Sequence, residues 1–317
     1  MTKNVLGIDV SKKKIDVYLM IGEKGFAHQF DNSQSGLKAL CDWLGLRQAG
    51  KVHACLEATG TYSDLAAQTL HEAGHTVSVV NPSRILHFAK SKLRRNKTDK
   101  ADAQLIAGFC RGESPREWHP PSRQMQDLRA LTRRIEALEA MLQMERNRLE
   151  GASSPVARGS VGRVTAMLEE EIRALREEIG RFIDGDDDMG ERKQLLRSIG
   201  GIGDKTATLL VSEIEFERFD SARSLAAFAG VTPARKNSGT SLCSTQISKV
   251  GSARLRARLY FPAIVAMKHN PVLKEFADRL ADKGKAKMQI VCAVMRKLLH
   301  IAYGVLKNRT PFTPNPA

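Results

Sequence analysis

The chain has 317 residues, enough to bury a substantial core and to form more than one domain. Lys and Arg number 50 against 35 Asp and Glu, a formal charge of +15 that points to a polyanionic partner. Hydrophobic residues at 42% and charged residues at 27% exclude a disordered chain, and aromatics at 5% argue against a base-stacking platform for single strands.

Residues 5–10 form an apolar run that carries Asp9, and 15–20 form a second run after SKKK, so the pair reads as a β-hairpin with an acid in its first strand. A third strand is expected over 26–30, a helix over 37–46, a buried strand over 52–56 ending at Glu57, a helix over 65–73 and a strand over 76–80. This order, followed by a helix, predicts an α/β domain with a mixed sheet. A basic loop comes next: the stretch 84–102 holds Arg84, Lys90, Lys92, Arg94, Arg95, Lys97 and Lys100 against two acids. Residues 99–111 read as a helix whose entrance carries Asp99 and Asp102 on one face.

From 124 to 182 the pattern changes to long helices. Leu128, Leu131, Ile135, Leu138, Leu142 and Leu149 follow heptad spacing, and after the breaker GASSPVARGS it is repeated by Val161, Val164, Leu168, Ile172, Leu175, Ile179 and Phe182. Either an antiparallel helical hairpin or a dimerising coiled coil satisfies it. The acidic break DGDDD precedes a mainly helical last region, which ends in an amphipathic helix over 286–306. Residues 230–317 contain sixteen Lys or Arg and three Asp or Glu, so +13 of the charge lies there. The expected division is 1–112 for the α/β domain, 113–190 for the helical segment and 191–317 for the basic domain. Five dispersed cysteines without a Cys-x-x-Cys pair exclude a disulfide framework or zinc ribbon. No apolar stretch approaching about 18 residues is expected, which suggests a cytoplasmic protein that meets no membrane.

If the strands carrying Asp9 and Glu57 are neighbours and the helix with Asp99 and Asp102 meets them, four carboxylates converge. Mutual repulsion makes such a cluster a site for divalent cations, which suit phosphodiester chemistry. The segment SIGGIGDKTA is a glycine turn opening a helix, similar to helix-hairpin-helix elements; Gly201, Gly203, Lys205 and Thr206 are its candidate phosphate contacts. Asp204 interrupts the spacing of a nucleotide-binding loop. Farther on, several hydroxyls (Ser238, Thr240, Ser241, Ser244, Thr245, Ser248) stand beside Arg235, Lys236, Lys249, Arg254, Arg256 and Arg258. A serine near such cations can act as a nucleophile on phosphate, and composition does not choose which one. His71 and His75 are spaced as metal ligands on a helix, but no third ligand accompanies them.

The segments GIDVSKKKIDVYL, CLEATGTY, NPSRILHFAKSKLRRNKTDKADA, SIGGIGDKTA, FAGVTPARKNSGTS and SKVGSARLRARLY resemble, in order and over nearly the whole chain, one group of transposases. These are the DEDD transposases of bacterial insertion sequences, the family numbered one hundred and ten, which includes the Piv-type DNA invertases. The resemblance implies a RuvC-like RNase H fold for the first domain, with Mg²⁺ held by Asp9, Glu57, Asp99 and Asp102. It implies a C-terminal transposase domain whose serine, Ser238 in the NSG of ARKNSGTS, becomes joined to DNA, with Ser241 the second choice. It further implies a structured bridge RNA that pairs with donor and target DNA, and a homo-oligomer. The competing readings are a RuvC-like hydrolytic nuclease or junction resolvase, a nucleic-acid-binding protein without catalysis, and a sugar-kinase-like ATPase.

Overall fold

The computed structural model describes residues 4–58, 60–92, 99–238 and 242–314; at 61, 99, 100, 235–238 and 242–245 only the backbone is described. The chain divides into two compact units, Met1–Pro121 and Ser122–Ala317.

The first unit is a mixed sheet between two helical layers. Strands β1 (Val5–Val10), β2 (Lys14–Ile21) and β3 (Lys24–Asp31) form an antiparallel meander, followed by α1 (Gln34–Leu46). Strand β4 (His53–Glu57), helix α2 (Thr61–Glu72) and strand β5 (Thr76–Val80) make a parallel crossover, and α3 (Pro82–Ser91) and α4 (Asp99–Glu113) follow. The strand order is β3-β2-β1-β4-β5. Central β1 is a continuous apolar run because both its faces are covered. Leu6, Ile8 and Val10, with Ile15, Val17 and Leu19 of β2, pack on Leu37, Leu40 and Leu44 of α1 and on Ala66, Ala67 and Leu70 of α2. On the opposite face, Val5, Cys55 and Val80 pack on Ile85 of α3 and on Leu105, Ile106, Phe109 and Cys110 of α4. The basic stretch is thus partly helical: Arg84 and Lys90 lie on α3, with Asn81 capping its start through the Ser83 amide.

Gly7 is where α4 meets the sheet backbone to backbone. A side chain there would overlap the Ala103 carbonyl and the Ala107 amide, so only glycine permits this approach.

In the second unit α5 (Arg123–Gly151) and α6 (Pro155–Asp184) form an antiparallel hairpin. Leu128, Ile135, Leu138 and Leu142 on α5 and Leu168, Ile172 and Ile179 on α6 are buried, while Arg146–Glu169 (2.7 Å) and Arg176–Glu139 (2.8 Å) bridge the two helices. Of the two readings of the heptads, the seam closes within the chain. The break between the helices is confined to 152–154, because Pro155 occupies the first helical turn, where its missing N–H costs nothing. Then follow α7 (Asp187–Arg197), α8 (Asp204–Glu213), α9 (Ala222–Phe228), a two-stranded hairpin of β6 (Pro233–Ser238) and β7 (Leu242–Ile247), α10 (Ala253–His269), α11 (Pro271–Asp282) and α12 (Lys287–Asn308).

Two expectations change here. The separation of 113–190 from 191–317 gives way to one core, since Met125 through Ile183 of the long helices share a cluster with residues up to Leu306. The expectation of no long apolar stretch is also corrected: α12, with mean hydropathy 1.3 in its best window, is long and apolar enough to cross a bilayer. Its apolar side chains, including Val294, Leu298, Leu299 and Ala302, are buried at the centre of this unit's core.

Replacing Gly7 with alanine must push α4 off the sheet. The expected cost is about 1–3 kcal/mol, read as a lowered urea midpoint with an unchanged slope.

Candidate active site

The β1–β4 ladder pairs Gly7 with Cys55 and Ile8 with Leu56, so Asp9 and Glu57 stand one step farther along, side by side at the carboxyl ends of two parallel strands. Side chains alternate along a strand, which puts both acids on the same sheet face as Gly7 and Cys55, the face covered by α4. Helix α4 runs antiparallel to these strands. Its Ala103 lies over Gly7, and toward its other end the Cys110 thiol donates to the carbonyl of His53 at the start of β4 (3.6 Å). The first turn of α4, with Asp99 and Asp102, is therefore at the end of the sheet where Asp9 and Glu57 stand. Asp9, Glu57 and Asp102 are all half-buried, and for Asp99 only the backbone is described.

Asp16, which did not stand out in the sequence, joins this edge. It faces Asp9 in the β1–β2 ladder, accepts from Gln29 Nε2 (2.8 Å) and lies 3.8 Å from Lys14 Nζ. The signal was present in the hairpin register, where a four-residue turn sets 9 opposite 16. The donors at this edge are carboxylate oxygens, the chemistry a hard divalent cation takes. Among the described residues no group of three or more His, Cys, Asp or Glu side chains is assembled to hold a metal. His71 instead packs its ring against Trp118 and His119, and His75 Nδ1 accepts from the Val52 amide (3.4 Å).

The serine-rich segment forms a hairpin rather than an irregular loop. Ser238 is the last residue of β6 and pairs with Leu242, the first residue of β7; residues 239–241, Ser241 among them, lie outside the described residues. The hairpin is fastened at its root. The amides of Ser248, Lys249 and Ser252 donate to the carbonyls of Thr232 (2.8 Å), Gly230 (3.2 Å) and Phe228 (2.7 Å). Arg256 Nη1 donates to the carbonyls of Ala229 and Lys249, both at 3.3 Å. Gly251, at φ 144°, has no room for a side chain beside the Phe228 carbonyl.

Residues 6–152 match a transposase family model of the DEDD, IS110 type, and residues 193–278 match the model of the transposase IS116/IS110/IS902 family. The pilin gene-inverting protein of Moraxella bovis is 35% identical over 98% of both chains, and that of Moraxella lacunata is likewise 35% identical over 98%. The chain belongs to the IS110 family of transposases. The transposase for insertion sequence element IS1111A of Coxiella burnetii is 25% identical over 84% of this chain and 78% of its own. As a member, the protein is a DNA transposase or recombinase. Transposases of the DEDD type generally use a divalent metal, which agrees with the carboxylate donors at the end of this sheet.

The transposase treats its basic residues unequally. Arg94, Arg95 and Lys97 lie outside the described residues, and for Arg235 and Lys236 only the backbone is described. In α10, Arg254 is held by Glu136 (2.8 Å) and by Glu213, and Arg258 by Glu136 (3.0 Å). In the glycine turn, Gly201 (φ 104°) has no room for a side chain against Ala266 of α10, so its glycine serves packing. Gly203 caps α8 in open space, and Thr206 donates its amide to the Gly203 carbonyl (3.0 Å). The Lys205 ammonium is clasped by both oxygens of Glu139 (2.6 and 2.7 Å). This first turn of α8 lines a cavity of about 850 Å³ with Ile135, Ile179, Leu209 and Phe261. Lys249 forms no ion pair among the described residues.

Burial pushes the Glu139 carboxyl up, but hydrogen bonds from Lys205 and Arg176 outweigh it and hold it below the ordinary carboxylate range. The stabilisation is therefore complete above that range and is lost as pH falls through the lowered value. Because Lys205 and Arg176 are more than half exposed, Glu139→Gln should cost at most about 1 kcal/mol at neutral pH. In urea titrations the difference from wild type should vanish in acid.

Proposed function

We propose that this transposase cuts and rejoins DNA through a covalent phosphoserine intermediate on Ser238, with Mg²⁺ held by Asp9, Glu57, Asp99 and Asp102 in a RuvC-like RNase H domain. The reading rests first on one observation. Two strand-end acids stand abreast and α4 brings its first turn, with two further acids, to the same end of the sheet. The strand order, with a meander leading into a parallel crossover, supports the RNase H assignment. The names of the relatives support rejoining over simple hydrolysis. Gene inversion and transposition both require cut strands to be sealed to new partners.

The bound cation supplies Lewis-acid polarisation of the scissile phosphate. Asp9, Glu57, Asp99 and Asp102 would hold such a cation, which would relieve their mutual repulsion. Ser238, the last residue of β6, supplies the hydroxyl, and the root of its hairpin is fixed by Arg256 and Gly251. Its oxygen bonds to phosphorus as the phosphorus–oxygen bond to the departing strand breaks, and the proton lost by the serine hydroxyl is made good on the departing strand's oxygen, which leaves as a free hydroxyl. One phosphodiester is exchanged for another, so resealing needs no external energy source. Gly203, Lys249 and the basic stretch around Arg94, Arg95 and Lys97 hold nucleic-acid backbones, and binding weakens steeply with salt. The family resemblance adds a structured bridge RNA that pairs with donor and target DNA, and cytoplasmic action. A homo-oligomer is supported by the far end of the α5–α6 hairpin, where Met141, Met144, Val156 and Met167 are exposed.

The test combines purified protein, Mg²⁺, DNA with the element junction and target, and RNA transcribed from the element's end. A denaturing gel should show a protein–DNA adduct that requires Mg²⁺ and RNA and disappears in Ser238→Ala and Asp102→Asn. Cleaved ends without an adduct, unaffected by Ser238→Ala, would make the protein a hydrolytic nuclease instead.

A further inference from the structure

The cavity of about 850 Å³ beside the glycine turn is lined by α5, α6, α8 and α10 of the second unit, and its size suits a nucleotide-sized ligand. Ile135, Ile179 and Leu209, all buried, give it an apolar floor. Phe261 also lines it and yet is 72% exposed, so its ring stands at the mouth. Tyr260 meets that ring edge to face, with centroids 5.3 Å apart, and so covers at most one side of it. The other side is left for a second planar group.

The cations on the cavity wall are already matched by acids. Lys205 and Arg176 share Glu139, Arg258 is held by Glu136, and Lys193 Nζ lies 3.0 Å from Asp204. An ion of either sign must displace one of these pairs to bind, so the cavity does not select an ion. What it offers besides is neutral and polar. Thr206 and Thr208 contribute hydroxyls that donate or accept. Pro262, inside α10, has no N–H, so the Arg258 carbonyl one turn earlier lacks its usual helical donor, and both residues line the cavity. An apolar floor, an exposed ring and uncharged donors and acceptors suit a flat group with apolar faces and a polar edge, which is the chemistry of a nucleobase.

We infer that this cavity takes one unpaired base of the DNA whose backbone runs over Gly203. The base stacks on Phe261, and its edge meets the Thr206 and Thr208 hydroxyls and the Arg258 carbonyl. This rests on the reading of Gly203 as a nucleic-acid backbone contact. Gly203 caps α8 in open space, and Asp204, Lys205 and Thr206, which follow it directly, line the cavity. One nucleotide can therefore keep its phosphate at the turn and its base in the cavity. A base must leave the stack to enter such a site, and the cost is least where its pairing is already broken. Joining cut strands to new partners breaks base pairs, so recombination itself supplies the unpaired base. Holding that base out of the stack favours the opened duplex over re-pairing.

The experiment uses the full chain with a DNA duplex carrying a single bulged 2-aminopurine, whose emission rises when it leaves the stack of its neighbours. The same duplex fully paired, and an RNA duplex with the same bulge, are run beside it. Wild type, Phe261→Ala, Phe261→Tyr and Ala257→Trp are compared. Ala257 is exposed and lines the cavity one turn before Phe261, so tryptophan there closes the mouth without disturbing the core. Wild type should raise the emission of the bulged DNA several-fold. Phe261→Ala should abolish the rise and weaken binding of the bulged DNA about tenfold, the effect of one base stack, with paired-duplex affinity and thermal melting unchanged. Phe261→Tyr should keep the rise, and Ala257→Trp should remove it. Equal affinity of wild type for bulged and paired DNA without a rise would overturn the pocket, as would a rise that persists in both Phe261→Ala and Ala257→Trp. A rise confined to RNA would overturn the assignment to DNA. Loss of a dimer in sedimentation of Phe261→Ala, with the rise intact, would make this face an interface between copies instead. Failure of wild type to bind the paired duplex would overturn the backbone reading itself.

Discussion

The backbone contact between α4 and β1 at Gly7 is what the acid site depends on. A helix at ordinary distance from a sheet is held off by side chains on both sides. Here Ala103 and Ala107 face a glycine, and the helix settles onto the strand. Leu105, Ile106, Phe109 and Cys110 then lock it against Val5 and Cys55. With the helix position and direction set, its first turn has one place to be, at the carboxyl ends of β1 and β4. Asp9 and Glu57 are therefore held side by side, and the first turn of α4 is brought to their end of the sheet, by apolar packing rather than by any attraction among the acids.

The hairpin with Ser238 follows a similar logic on a smaller scale. A lone two-stranded hairpin is marginal in water, and this one gains its support from its root. Backbone bonds continue the ladder back to Phe228, Gly251 allows the two chain segments to touch, and the Arg256 guanidinium ties off two carbonyls. Arg256 in this role is a positioning group, although in the sequence it is one more cation beside a serine-rich stretch.

Charge also changes meaning between sequence and structure. Residues 230–317 carry most of the surplus, yet Glu136 and Glu213, far away in the chain, neutralise Arg254 and Arg258, and Glu139 takes up Lys205. The helices of the α5–α6 hairpin are rich in both signs, and their acids reach across to α8 and α10 as well as along their own faces.

Much of the fold was legible from local patterns. The strands near 5–10, 15–20 and 76–80 and the heptads on either side of 152–154 are periodic signals, and periodicity survives folding because burial enforces it. The candidate acids stood out as residue types, Asp9 and Glu57 at strand ends and Asp99 and Asp102 at a helix entrance, and the serine motif as a basic, hydroxyl-rich segment. By itself the sequence determined the mixed α/β first unit, the long-helix pair, the basic character and the family. Only the tertiary structure decided that Asp16 joins the acid edge, that the heptad seam closes within one chain, and that the serine segment is a pinned hairpin. It also decided which arginines are neutralised. The reason is physical: local pattern records which face of an element is buried, whereas ladder register, helix approach and ion pairing depend on residues that meet only after the chain has folded.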